Sequence, residues 1–332
     1  MEYILLFTGI ILVIVAYTDI LQTTIQHTGA GFLSQRSGAF IWWIFLKLSG
    51  NNGKKSFLGL AGLFIVSVLI LTWIGFIWLG FTLIFNFQPH SVLLTSSRLP
   101  TDFMDKLYYT GYTLSTLGNG DLLASNNLWR ILTIILAVSG LLIITLSITY
   151  LIPLLSAVTN KRKLCAYISF LGNSPEEIIL KGWNGNDFSQ LNQHLYELSW
   201  MVLDHKEKHL LYPVLHYFHS NEKKFAAPVA LTVLDETISV IKGSSFLQER
   251  IDMITLNILR NSLDDYLSIL KETYIQKSGT APYLPKLNTL YATFDIDRVQ
   301  IQKYFDTLTE RRELINGMVQ ADGWDWPIAG EV

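Results

Sequence analysis

The sequence predicts an all-α membrane protein with a polar, helical domain at its C-terminal end, and three observations carry that reading. Half of the 332 residues are apolar and only 16% are charged, with a mean hydropathy of +0.33, an apolar balance for a chain with a sizeable polar part. Apolar runs at 3–21, 57–85 and 128–155 are each long enough to cross most or all of a hydrocarbon core of about 30 Å at about 1.5 Å per residue. Beyond Lys161 the chain turns polar, and its apolar residues recur at three-and-four spacing, the period of an amphipathic helix.

The first run, within an N-terminal span at 1–24, opens on Glu2 and has no basic cluster or small-x-small cleavage site. It reads as a retained span and not as a removable leader. Residues 25–56 carry Arg36, Lys47, Lys54 and Lys55 with no acid between Ile20 and Phe57, and Lys161-Arg162-Lys163 follows the last span. Basic loops stay in the cytoplasm. The expected topology in the cell (plasma) membrane therefore has the N-terminus outside and the C-terminal domain inside. Between the first two spans, Gly38 to Leu48 holds Phe40-Ile41-Trp42-Trp43-Ile44-Phe45-Leu46, too short to span. It reads either as an interfacial helix on the cytoplasmic face or as a helix buried against the spans.

Residues 57–158 form a second expected unit. The run from Phe57 to Phe85 is long enough to tilt. Gln88 to Pro100, with its prolines and serines, reads as an extracellular loop. Asp102 is placed to cap a short aromatic helix ending at Leu114, with Asp105 in its first turn. The third span carries Thr133, Ser139, Thr145, Ser147 and Thr149, hydroxyls that either line a wet cavity or bond back to their own backbone. Gly140 and Pro153 are its two candidate bending points, as a gating hinge or as fixed features of the helix.

Between these spans lies Thr113 to Asp121, reading Thr-Leu-Ser-Thr-Leu-Gly-Asn-Gly-Asp. A polar, glycine-bearing loop sits at membrane depth only where protein or a water-filled cavity surrounds it. Ion pores use that exception: backbone carbonyls replace the water shell of a cation, and glycine lets them turn toward one axis. Thr116 would add its hydroxyl and Asp121 a carboxylate at the outer mouth.

The segment Thr116-Leu117-Gly118-Asn119-Gly120-Asp121 resembles the filter of the tetrameric potassium-channel superfamily, whose pattern is Thr-Val-Gly-Tyr-Gly-Asp. Tyr108-Tyr109 is similar to that family's aromatic pair, Ser115-Thr116 to its hydroxyl pair, and Gly140 to its hinge glycine. The resemblance covers Phe57 to about Leu155. It implies a pore-loop channel domain with a re-entrant pore helix, whose negative C-terminal end faces the ion. It also implies ion binding by Thr116, Leu117, Gly118, Asn119 and Gly120, K+ as the permeant ion, and a ring of four chains. One such loop per chain cannot enclose an ion, and no second copy occurs in the sequence, which excludes a single-chain pseudo-tetramer; the ring that the resemblance implies is then a homotetramer. Asn119 stands where the family carries a ring that holds the filter open. That departure leaves a weakly selective or Na+-conducting pore as the alternative.

Residues 159–332 hold 18 lysines and arginines against 22 acids and read as a cytosolic all-helical regulatory domain. Breaks are expected near 172–175, 182–185, 220–221, 243–244 and 278–285. Leu247, Ile251, Ile254 and Ile258 form one apolar series, and Leu259, Leu263, Tyr266, Leu270 and Tyr274 another. No dinucleotide-type glycine motif or calcium loop occurs, so the identity of a regulatory ligand or protein stays open. The net charge of −2 argues against a nucleic-acid partner. The single cysteine, Cys165, allows no intrachain disulfide and reads as a small buried residue.

Five of the seven histidines are His194, His205, His209, His216 and His219. His205 with His209, and His216 with His219, have helical spacing. They are candidates for a divalent-metal or proton sensor, or are ordinary helix residues; Pro213 is expected to bend or break the helix between them. No other cofactor is indicated, and no nucleophile and base arrangement points to an enzyme. The function classes that remain are a cation channel gated through its tail and a non-conducting membrane-anchored sensor or scaffold.

Overall fold

The computed structural model describes residues 2–25 and 30–328, which divide into two compact units. The first takes in the described residues within 1–39, 63–155 and 212–214, and the second those within 40–62, 156–211 and 215–332.

The first unit contains α1 (Glu2–Thr24), the start of α2 (Phe32–Leu48), most of α3 (Ala61–Phe85), α4 (Phe103–Leu114) and the first part of α5 (Asn127–Leu171). Helix α1, the stretch 56–85 and α5 are long and apolar enough to cross a membrane. Helices α1 and α3 touch through glycine. A Cβ at Gly9 would stand 2.6 Å from the Gly80 carbonyl, and one at Gly80 would stand 2.7 Å from Val13, so both positions permit a close backbone approach. Near its end α1 buries Asp19, whose carboxylate accepts from the N–H groups of Leu33 (2.8 Å) and Ser34 (3.2 Å), the Ser34 hydroxyl (2.6 Å) and the Trp73 indole (2.8 Å). One acid thus caps α2 and ties it to α1 and α3.

Two short strands, β1 (Val92–Leu94) and β2 (Leu122–Ala124), pair antiparallel with Leu94 opposite Leu122. The extracellular loop expected at 88–100 is therefore partly a β-strand, paired with the strand that follows the glycine loop. The third span also differs from expectation. It continues as helix α5 to Leu171 and contains Pro153 internally, because a proline removes one backbone donor without ending a helix whose neighbouring turns are intact.

The second unit is helical. It contains α6 (Pro175–Gly182), α7 (Ser189–Leu211), α8 (Ala227–Lys242), α9 (Ser245–Gln248), α10 (Met253–Thr273), α11 (Asn288–Thr293), α12 (Arg298–Thr307) and α13 (Thr309–Ala321). Helix α8 is buried almost all round, and its two acids are both paired. Asp235 meets Arg260 at 2.7 Å and Arg311 at 2.5 Å, and Glu236 binds Arg312 through two bonds of 2.7 and 3.1 Å. Such pairs are costly to break because the surviving charge is stranded in low dielectric. Residues 40–62 belong to the same unit: the Trp42 indole donates to the Ala321 carbonyl at 3.2 Å and the Gly53 N–H to the Gly323 carbonyl at 2.7 Å.

The breaks expected in the tail fall between helices, but one apolar series does not form a continuous helix. Leu247 lies in α9, the chain turns at 249–252, and Ile254 and Ile258 on α10 are 75% and 51% exposed. Their spacing continues the helical period, yet Asp252 starts a new helix by accepting from the Ile254 N–H at 2.9 Å and resets which face is buried. Helix α2 is longer than the 38–48 expected and two-faced, with Ile41 and Trp42 buried and Phe40 and Trp43 exposed.

Candidate functional site

The glycine loop is fixed by the helix that precedes it. Asp102 accepts from the Asp105 N–H at 2.9 Å while the Asp105 side chain receives the Asp102 N–H, a reciprocal capping box that starts α4. The helix is held from the α3 side by the Trp78 indole on the Leu107 carbonyl at 2.9 Å and by the Thr82 and Thr110 hydroxyls, 2.7 Å apart. At its other end the Thr116 N–H donates to the Thr113 carbonyl (3.0 Å) and the Leu117 N–H to the Tyr112 carbonyl (2.9 Å). This is a Schellman closure with Thr116 in the left-handed position, φ 60°. A β-branched residue there is strained, and here it turns the chain straight into the loop.

From that point the sign of φ alternates. Thr116 (60°), Gly118 (62°) and Gly120 (79°) are positive, and Leu117 and Asn119 between them are not. Alternation of handedness turns successive N–H groups to one side of a chain and carbonyls to the other. Among the described residues, no hydrogen bond within the chain reaches the carbonyls of Thr116, Leu117, Gly118 or Asn119. All residues from Ser115 to Asp121 are exposed in the single chain. A stretch of oxygens without internal partners can coordinate a cation.

The outer end is different. The Thr95 hydroxyl donates to the Gly120 carbonyl at 2.8 Å, and the Thr95 N–H donates to the Asp121 carbonyl at 2.9 Å. The Asn119 side chain donates to the Tyr108 hydroxyl. Tyr108 packs edge-on against Tyr112 with centroids 5.1 Å apart, and the Tyr112 hydroxyl donates to the Leu122 carbonyl at 3.1 Å. Sequence reasoning picked out Tyr108 as an aromatic but gave no sign of Thr95, because strands of three residues are too short to show a period.

Gly140 sits on α5 where it passes the end of α4: a Cβ there would fall on the Leu114 carbonyl oxygen. Close approach of the two helices is thus one reason for this glycine. Pro153 lies within the same helix. Four of the five span hydroxyls bond back to their own helix, Thr133 to Trp129, Ser139 to Ile135, Thr145 to Leu141 and Thr149 to Thr145.

The histidines separate into two environments. On α7, His205 and His209 are buried with ring centroids 6.2 Å apart, and His209 lies 5.5 Å from His216 in the short turn Pro213–Tyr217. Burial lowers all three from the ordinary histidine value, His209 to about 3, so they are neutral. Neither ring nitrogen of His205 has a hydrogen-bond partner. His219 lies beyond the turn and not on one helical face with His216: Pro213 ends α7, as the sequence suggested, and the helical spacing does not extend past it. The His219 Nε2 meets the Gly53 carbonyl at 2.7 Å and its Nδ1 meets Asp322 at 3.0 Å. Both partners are acceptors, so the ring donates twice only as imidazolium. Burial opposes that charge, but Asp322 and the Gly53 carbonyl raise it above its ordinary value. Among the described residues no group of three or more His, Cys, Asp or Glu side chains is arranged to hold a metal ion.

Three apolar helices, a capped short helix and a glycine loop with free carbonyls define a membrane protein of the pore-loop type. The chain matches the sequence family described as an ion channel over residues 63–157, and that stretch is a pore-loop domain of the cation-channel superfamily. It is 33% identical over 323 residues, 96% of its own length and 94% of the relative's, to the uncharacterized membrane protein YdjJ of Bacillus subtilis (strain 168), and it belongs to the same family. No solved structure matches the chain.

Proposed function

We propose that the protein is a homotetrameric monovalent cation channel that favours K+ over Na+, conducts through residues 116–120 and is gated through its C-terminal domain. The observation that carries this reading is the alternation of φ along Thr116, Leu117, Gly118, Asn119 and Gly120, with no hydrogen bond among the described residues to the carbonyls from 116 to 119. Oxygens of that kind substitute for a hydration shell once several copies gather round an axis. The exposure of the loop in a single chain fits its meeting other copies, and four is the number that the superfamily resemblance implies. Asp121 stands at the outer mouth, and the carbonyl end of α4 contributes a partial negative charge. The basic residues of 25–56 and 161–163 support a plasma-membrane topology with the N-terminus outside and the tail in the cytoplasm. Gly140 and Pro153 are the bending points through which α5 opens.

A weakly selective or Na+-conducting pore is the second reading, favoured by Asn119 in place of a ring. Reversal potentials of the reconstituted protein in opposed K+ and Na+ gradients decide between the two. Gly118→Ala, which puts a Cβ at φ 62°, abolishes conduction if the loop is the ion path. Full conduction by that variant, or vesicles of wild type that pass no cation, would overturn the proposal.

A further inference from the structure

We infer that His219 is a proton-operated latch in the second unit: as imidazolium it ties the linker that runs from α2 into α3 to the segment that follows α13, and loss of its proton frees the linker. The latch bears on ion flow only if the pore reading above holds, and it then supplies that pore with a stimulus, the pH on the side of the C-terminal domain.

Three chain segments meet at this ring. The linker brings the Gly53 carbonyl, 2.7 Å from Nε2, and the chain after α13 brings the Asp322 carboxylate, 3.0 Å from Nδ1. The third segment is α5, whose Lys161 ammonium donates to the carbonyls of Leu215 at 3.2 Å and Phe218 at 3.0 Å and so fastens the turn that leads into His219. The rings of Trp42 on α2 and Trp324 flank the imidazole, with centroids 5.8 and 6.2 Å away, and the His219 side chain is fully buried. Asp322 and Lys161 are the charged groups that face it: the acid favours the imidazolium and the lysine opposes it.

A buried ring between two acceptors is satisfied in one protonation state. Imidazolium donates to both, whereas neutral imidazole has one N–H and one lone pair. The remaining proton stays on Nδ1, where the acceptor is a carboxylate and the bond is charge-assisted. The Nε2 lone pair then faces the lone pairs of the Gly53 carbonyl, and with the ring shut off from solvent the mismatch is costly. The contact that breaks is therefore the one to the linker. The latch is closed on the acid side and is released as pH rises through the raised value of the ring. After release the linker keeps the Gly53 N–H on the Gly323 carbonyl at 2.7 Å. The linker leads into α3, and Lys161 lies on α5. These are the helices before and after the glycine loop in sequence, so a change at His219 reaches the pore domain along the chain itself.

The test uses the full-length protein in liposomes, with K+ flux measured between about pH 6 and pH 9 on the side of the C-terminal domain, a range that brackets the ordinary histidine value. Protonation of His219 is read in the same protein by nuclear magnetic resonance of isotope-labelled histidine rings, its signal assigned by its absence from His219→Gln. Wild-type flux changes about ten-fold across the range, the scale on which one charge-assisted hydrogen bond biases an equilibrium, and its midpoint coincides with that of the ring. His219→Gln flattens the profile. Asp322→Asn keeps the shape and removes the charge that holds the imidazolium, and it lowers both midpoints by about one pH unit or more. A merely structural role for the pair would weaken folding and move neither midpoint. Wild-type flux that does not follow the titration of the ring, or midpoints that stay in place in Asp322→Asn, overturn the inference and leave the pore reading standing. Wild-type vesicles that pass no cation at any pH overturn both.

Discussion

Asn119 donates its side-chain amide to the hydroxyl of Tyr108, so the residue at the position where the superfamily pattern carries a ring is tied to an aromatic of α4. Tyr108 rests on Tyr112, and Tyr112 is bonded to β2. The loop is thus buttressed from behind by hydrogen bonds where the superfamily pattern would place a ring.

Tyr108→Phe keeps the ring and removes that bond. Conduction persists, while the K+/Na+ permeability ratio falls by about two- to ten-fold, the range of one net hydrogen bond. Bi-ionic reversal potentials check it.

Gly140→Ala places a methyl on the Leu114 carbonyl. Overpacking of this kind costs about 1–3 kcal/mol, and here it displaces the end of α4 that launches the loop. A lowered melting temperature together with reduced K+ flux is the expected result. A variant that melts and conducts like wild type would show that the helices part freely at this point.

Asp19→Asn keeps the shape but replaces one carboxylate oxygen by an NH2 group that meets a donor in either orientation, the N–H groups of Leu33 and Ser34 at one position or the indole of Trp73 at the other. The loss is about 1–3 kcal/mol, seen as a lower melting temperature of the detergent-solubilised protein. Greater exposure of the Trp73 indole, followed by its fluorescence, accompanies it.

Acid and base act on the two histidine environments with opposite sign. His205, His209 and His216 are lowered by burial, so the unfolded chain binds protons that the folded one refuses. Their contribution is complete above about pH 6.5 and is lost as pH falls toward the folded values, at about 1.4 kcal/mol per pH unit for each group. Melting temperatures at pH 7.5 and 5 fall accordingly, and His209→Phe flattens the acid limb. His219 is raised, so its contribution is present below about pH 6.5 and is lost as pH climbs through the raised value. His219→Gln and Asp322→Asn each remove that alkaline loss, read as hydrogen-exchange protection of the Gly53 amide corrected for intrinsic rate.

What the sequence revealed depended on the distance over which a pattern acts. The spans, the capped helix and the glycine loop were legible because their signals are local: an apolar run, an aspartate three residues before another, two glycines one residue apart. Asp19 was passed over because a lone acid near the end of an apolar run looks unremarkable, and its partners lie 14, 15 and 54 positions away. The same holds for His219, whose partners are 103 and 166 positions distant. Helical spacing grouped it with His216, but the spacing has meaning only while the helix continues. Asp235 and Glu236 on α8 carry the ordinary marks of a solvated turn of helix, and only the arginines at 260, 311 and 312 make their burial tolerable.

The chain's one sulfhydryl, Cys165, is fully buried. Maleimides and spin labels react with a thiolate they can reach, so the natural protein is already silent toward them. A cysteine introduced at exposed Ser96 beside the loop, or at exposed Lys54 in the second unit, would be labelled alone, and distances among the copies of the proposed ring could be measured without first stripping the background.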